Sequence, residues 1–209
     1  ELQSHSDLVC RLLLEKNNII ILAVDGVGFK PYIKICKALD IPYIMRTDND
    51  IGKKRINGIE YSYYSGISRV MGIYKELISK SKQDALLKYW KNNLSNNHWL
   101  PINSKPSKNA NTLNQFIRTE MVKYDIFLSD MDLENDLIET ALFQNLLDFH
   151  QCEDKESLLK HMQSRKAEYM LEFLQYLQLN KISLLVIKND SISIPLKRLK
   201  KVVEDVAKQ

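Results

Sequence analysis

Asp48 and Asp50 stand two apart, with Asn49 between them, at the end of an apolar, β-branched run over residues 41–47. In extended backbone residues i and i+2 project to the same side, so both carboxylates can face one spot. If that strand belongs to an open parallel sheet, the spot is its carboxyl edge, where ligands of such folds bind. Paired hard oxygen donors suit Mg²⁺ or Mn²⁺. The same residues also suit a strand-ending turn, since Asp and Asn bond their own local backbone there, and the pair alone does not separate the two readings. A second acidic group, Asp130-Met131-Asp132-Leu133-Glu134, follows a second short strand pattern over residues 125–129. Asp130, ahead of the following helix, is the better ligand candidate. Asp132 and Glu134 fit a metal and a helix amino end equally well, because acids there favour the helix dipole.

Directly after the first acids comes a basic knot, Lys53, Lys54 and Arg55. Placed there it fits an anionic partner such as a nucleic-acid backbone and a solvated face equally well. A second knot, Lys197, Arg198, Lys200 and Lys201, better fits a solvated helix face. His5, His98, His150 and His161 are dispersed without the spacing of a helical zinc site. Gly26-Val27-Gly28 lacks both the third glycine of a dinucleotide fingerprint and the lysine of a P-loop, and reads as a turn that lets a helix pack on the sheet. Tyr61, Tyr63 and Tyr64 could stack on bases or pack on their own domain.

The elements that must position these residues follow from periodicity. A helix over 7–16, capped by Ser6, precedes a continuous apolar run at 19–24, the pattern of a strand covered on both faces. The turn at 25–28 leads into a helix over 30–39, with Tyr32, Ile33, Cys36 and Leu39 on one side, and then to the strand at 41–47. Strand, glycine turn, helix and strand form a right-handed βαβ unit and predict an α/β parallel sheet. Residues 51–65 read as a surface loop and 95–110 as a loop or linker. Helices are predicted at 67–79, 84–92 and 112–123, then one long helix at 133–149 capped by Asp132, and further helices at 155–162 and 166–179. A strand-like stretch at 182–187 and a helix after Pro195 close the chain. The expected division is an α/β core of 1–50 with 124–150, an insertion of loop and helices at 51–123, and a helical carboxyl-terminal segment at 151–209.

Composition excludes little but is consistent. The 209 residues are 44% hydrophobic and 27% charged, enough apolar material for a globular core. No run reaches the roughly 20 apolar residues of a membrane span, and no signal-peptide layout opens the chain, so a soluble, cytoplasmic protein is expected. Cys10, Cys36 and Cys152 are odd in number and scattered, which suggests neither a disulfide framework nor a thiolate zinc site. A net charge of +4 is weak support for an anionic partner.

The stretch from Val24-Asp25-Gly26-Val27-Gly28-Phe29-Lys30-Pro31-Tyr32, through the helix at 34–39 and Asp40-Ile41-Pro42, to Thr47-Asp48-Asn49-Asp50 resembles the toprim domain of the overcoming-lysogenization-defect (OLD) family nucleases, which include the nuclease subunit of Gabija anti-phage systems. Asp130-x-Asp132-x-Glu134 resembles the family's second acidic group, with Asp132 where serine or threonine is frequent. Lys166, within Ser164-Arg165-Lys166-Ala167, matches the family's late active-site lysine, and Ser6-Asp7 matches its second amino-terminal acid. The resemblance implies a toprim-like parallel sheet flanked by helices, with an additional helical insertion and carboxyl-terminal part. It further implies two divalent ions held by Asp7, Asp48 and Asp50 on one side and Asp130 with Glu134 on the other, with Asp132 in the same group. Asp48, Asp130 and Lys166 would carry the chemistry, the lysine balancing charge on the phosphoryl oxygens.

The expected function is therefore Mg²⁺-dependent cleavage of DNA phosphodiesters, in phage defence, beside an ABC-type ATPase domain. That ATPase would lie in the parent chain or in a partner chain, since no Walker motif is present here, and the arrangement allows a homo-oligomer. One departure opens a second expectation. With Ser6-Asp7 aligned, Gln3-Ser4 stands where toprim domains carry glutamate-glycine, so the glutamate is replaced by Gln3, supplied by Glu1, or located upstream of this fragment. Glutamine is no base and a weaker ligand, which makes a degenerate toprim domain that binds DNA or a partner protein without cutting the alternative. A receiver-like phosphotransfer domain also uses strand-end aspartates, but the chain is long for one.

Overall fold

The computed structural model describes residues 28–81, 83–101, 105–164, 166–182 and 190–206. The expected helix at 7–16, the strand at 19–24 and nearly all of the strand-like stretch at 182–187 lie outside them. Helix α1 (Phe29–Ala38) leads to strand β1 (Met45–Thr47), and a hairpin of β2 (Ile51–Ile56) and β3 (Ile59–Tyr64) follows at once. Next come α2 (Ser65–Ile73), which runs on as a π-helical turn to Ile78, then α3 (Ala85–Asn93), β4 (His98–Trp99), α4 (Lys108–Val122) and β5 (Ile126–Leu128). Among the described residues five further helices follow: α5 (Leu133–Ile138), α6 (Phe143–His150), α7 (Lys155–Ser164), α8 (Lys166–Leu179) and α9 (Asp190–Val206).

Among the described residues the architecture is mixed α/β with two small sheets. β1 and β5 pair in parallel, Met45 opposite Ile126 and Thr47 opposite Leu128. Parallel strands need a crossover, and here it is the whole segment from the hairpin through α4. The second sheet is antiparallel, in the order β2-β3-β4.

Apolar spacing explains why α2 and α4 cover the parallel pair. In α2, Ile67, Val70, Met71 and then Tyr74 recur at helical intervals and are buried, and in α4 Ala110, Leu113, Ile117 and Met121 do the same. These side chains close one core with Met45, Ile126 and Leu128 of the strands and with Tyr64 and Trp99 of the antiparallel sheet. At about 1.5–3 kcal/mol for each large apolar side chain buried, this cluster is the main force that holds the ends of β1 and β5 in place. A second core, centred on Leu137, Leu142, Leu146, Leu158, Met162, Phe173 and Leu177, unites α5 to α8.

Several expectations are corrected. Residues 51–65 are no loop but a regular hairpin, turning at Asn57 and Gly58 with φ of 49° and 81°. Both central residues in the left-handed region define the tight turn whose twist matches paired strands. The predicted linker at 95–110 contains β4, and the strand at 41–47 is regular only over its last three residues. The single helix at 133–149 is two, because the Thr140 hydroxyl donates to Leu137 O at 2.6 Å and accepts from Leu142 N at 3.1 Å, diverting the ladder there. The last helix starts at Asp190 and carries Pro195 inside it.

Candidate functional site

Because β1 and β5 are parallel and in register, the residues that follow them emerge side by side. Ser129 N donates to Thr47 O at 3.1 Å, Asn49 N to Met131 O at 2.5 Å, and the Ser129 hydroxyl lies 3.4 Å from Asp48 Oδ1. Asp48-Asn49-Asp50 and Ser129-Asp130-Met131 thus form one carboxyl edge. Burial alternates along the first loop: Met45, Thr47 and Asn49 are buried, Arg46 and Asp48 half-buried and Asp50 exposed. Asn49 is the inward anchor. Its amide donates to Asn114 at 2.8 Å and its oxygen accepts from Ile67 N at 3.1 Å, while Ser65 N donates to Asp50 O at 2.9 Å. The acidic loop therefore caps the amino end of α2, which has no capping side chain of its own. Gly66 makes this possible, since a Cβ there would lie 2.5 Å from Asp48 O and 2.7 Å from the Asn49 Cα.

The second acidic group divides by role. Asp132 is buried and caps α5: Oδ1 accepts from Asn135 N at 2.8 Å and Oδ2 from Gln163 Nε2 at 2.8 Å. Glu134, in the first turn of α5, is buried as well. Asp130 is largely exposed and ion-paired to Arg118. The buried Asp136, which the sequence reading passed over, holds the centre: Oδ2 pairs with Arg46 at 2.6 Å and Oδ1 accepts from Asp130 N at 3.2 Å.

Three guanidinium groups surround these acids, and none was singled out from the sequence. Arg46 reaches Asp136, Arg118 reaches Asp130 and Leu128 O, and Arg69 on α2 donates to the Thr47 hydroxyl and, at 3.1 Å, to Asp48 O. Burial pushes the Arg118 guanidinium below its ordinary value, with Asp136 and Tyr64 opposing that fall. The Nε atoms of Arg46 and Arg69 are buried without a hydrogen-bond partner among the described residues. No local spacing could have revealed this cluster, because its members come from β1, α2, α4 and α5.

The remaining candidates are placed as follows. Lys53, Lys54 and Arg55 lie on β2, all exposed, which begins immediately after Asp50. Lys53 pairs loosely with Glu60 at 3.3 Å. Lys166 opens α8, and Gln163, three residues earlier, already touches Asp132, so the α7–α8 junction borders the acidic edge. Asp7 lies outside the described residues. His150 and His161, remote in sequence, are neighbours with ring centroids 5.1 Å apart, His161 stacking on Tyr169 at 4.5 Å.

For a divalent ion, Asp48 and Asp50 offer hard oxygen donors of the right chemistry, and Asp130 is on the adjoining loop. Among the described residues no three His, Cys, Asp or Glu side chains are grouped to hold a metal. The fit is thus that of a partial ligand set: a two-carboxylate arm beside a second acidic loop whose Asp132 oxygens are committed to Asn135 and Gln163.

Residues 4–50 match the family model described as "Overcoming lysogenization defect protein-like, TOPRIM domain". The match covers well under half of the chain and takes in Asp7, Asp48 and Asp50, ending where the hairpin begins. No curated protein matches the chain. Among the described residues no helix is long and apolar enough to cross a membrane.

Proposed function

We propose, from the OLD-like TOPRIM segment at residues 4–50 and the acidic edge that continues it, that this chain is the nuclease part of an OLD-type ATPase–nuclease, cutting DNA phosphodiesters in phage defence. The observation that carries the reading is the side-by-side emergence of Asp48-Asp50 and Asp130 from two parallel strands, joined by the Asn49 N to Met131 O bond of 2.5 Å. Turn formers and caps need only their own local backbone. Asp7, Asp48 and Asp50 are the residues proposed to hold one Mg²⁺ or Mn²⁺, and Asp130 with Glu134 the second. When bound, such ions lower the pKa of an attacking water and neutralise the leaving oxygen.

The chain's own groups do the rest. Lys53, Lys54 and Arg55 hold the flanking phosphates, and Lys166, at the α7–α8 junction, offsets charge on the phosphoryl oxygens. Arg118, whose Nη1 meets one oxygen of the exposed Asp130 carboxylate, can exchange that partner for a DNA phosphate, an oxyanion that a guanidinium also binds. An ABC-type ATPase domain, in the parent chain or a partner, completes the assembly.

Incubating supercoiled plasmid with the protein and Mg²⁺ or Mn²⁺ tests this directly. Nicked or linear product is expected, lost in EDTA and reduced at least about 100-fold, the scale of one transition-state stabiliser, in Asp48→Ala and Asp50→Ala. Cleavage that survives both substitutions sinks the assignment. One observation favours the non-cutting alternative, namely that Asp130 and Asp136 are balanced by Arg118 and Arg46 rather than left to a cation. A degenerate domain of that kind binds DNA with affinity indifferent to Mn²⁺ and leaves the plasmid intact.

A further inference from the structure

We propose that the outer face of the β2-β3-β4 sheet is a stacking platform for a single-stranded segment of DNA leading away from the acidic edge; the choice of DNA rests on the nuclease reading, the stacking on geometry alone. The register assigns the two faces. Gly52 is opposite Tyr63 and Lys54 opposite Tyr61, while His98 of β4 is opposite Tyr63, so Gly52, Lys54, Ile59, Tyr61, Tyr63 and His98 share one face. The other face carries Ser62, Tyr64 and Trp99, all buried in the core, which turns the first outward.

On that outward face the rings form a row. The His98 ring lies 6.1 Å from Tyr61 and 6.2 Å from Tyr63. Gly52 leaves its cross-strand position to the Tyr63 ring, whose atoms would stand 2.9 Å from a Cβ there. A side chain at 52 would therefore displace the ring. Burial and the nearby Lys54 charge lower the His98 pKa, keeping the ring neutral and its face available at neutral pH. Ile59, half exposed, extends the apolar surface toward the turn.

Spacing and charge name the occupant. Tyr61 and Tyr63 are two residues apart on one strand, about 7 Å, twice the advance of about 3.4 Å per nucleotide in duplex DNA. Bases reaching both rings must be splayed, as a single strand permits and a duplex does not. Lys54 stands among the rings on this face and supplies a cation for the phosphate backbone, while Lys53 and Arg55, opposite Ser62 and Glu60, alternate to the other face of β2. Because Ile51 follows Asp50 and pairs with Tyr64, Tyr63 is the ring nearest the acids and Tyr61 the next outward.

Fluorescence anisotropy of the full chain with labelled oligo(dT) and with a duplex of equal length, both in EDTA so that no cleavage intervenes, is the test. The single strand should bind more tightly, with Tyr61→Ala and Tyr63→Ala each weakening it about tenfold. Tyr61→Phe and Tyr63→Phe should bind as wild type, and Lys54→Gln should reduce the salt slope by about one. Alanine variants that bind like wild type, or phenylalanine variants as weak as the alanine ones, overturn the platform, as does equal loss on duplex. Asp48→Ala separates the two proposals, since it should abolish plasmid cleavage and leave oligo(dT) binding unchanged. Binding with no cleavage by the wild type refutes the nuclease reading alone.

Discussion

At the scale of single residues, the charge pair between Arg46 and Asp136 is the joint on which the acidic edge depends. The Asp136 side chain is 1% exposed and its oxygens serve both Arg46 and the Asp130 amide. Removing one partner of a buried pair leaves the other charge uncompensated, so Asp136→Ala should destabilise the protein by about 3–5 kcal/mol in urea unfolding. A loss below about 1 kcal/mol would show that water takes over the role. The sequence displays Asp48 and Asp50 openly, because alternation on a strand is a period of two that any reader can count. Arg46, Arg69, Arg118 and Asp136 are hidden from such counting. Each meets its partner across 10 to 90 residues, and nothing local distinguishes these arginines from solvated ones. Asp132 could be read either way from sequence, and the structure gives it the capping role.

At the scale of elements, His150, the last residue of α6, sets a pH dependence. Burial first, and the neighbouring His161 second, lower the His150 pKa from its ordinary 6.5. The folded state thus resists a proton that the unfolded chain accepts, so stability is complete above about pH 6.5 and falls as the pH drops through that value toward the folded pKa. His150→Gln should flatten the decline of the melting temperature between about pH 7 and 5; an unchanged slope would place the sensitivity elsewhere. The helices were the most legible elements, α3, α7 and α8 falling within two residues of their expected bounds. The hairpin was missed although its signal was present. Asn57-Gly58 between alternating residues is a hairpin turn, whereas the glycine, lysine, serine and tyrosine content of residues 51–65 resembles that of a loop. The split between α5 and α6 was less readable, since only the side-chain bonds of Thr140 mark it.

At the scale of the whole molecule, two apolar cores are joined by the short β5–α5 passage and by α9, whose Arg198 makes a two-pronged bridge to Asp125, at 2.5 and 2.9 Å, just before β5. Both tryptophans, Trp90 and Trp99, belong to the first core. Tryptophan fluorescence thus follows that core alone, and far-ultraviolet circular dichroism follows both. The two signals should share one urea midpoint in the wild type and separate in Arg198→Ala, with the second core melting first; coincident midpoints in the variant would show that the bridge does not couple them. The crossover between the parallel strands has a consequence in time. The hairpin closes within its own 14 residues, from Ile51 to Tyr64, whereas Asp48 meets Ser129 across 81. At about 5–20 residues per second, a ribosome needs several seconds to make that intervening stretch. During those seconds a nascent chain carries Asp48, Asp50 and the hairpin but no second strand, so the acidic edge exists only once β5 has been made. A chain interrupted anywhere between the two strands would carry half of the edge and never the whole, so its assembly waits on synthesis through β5.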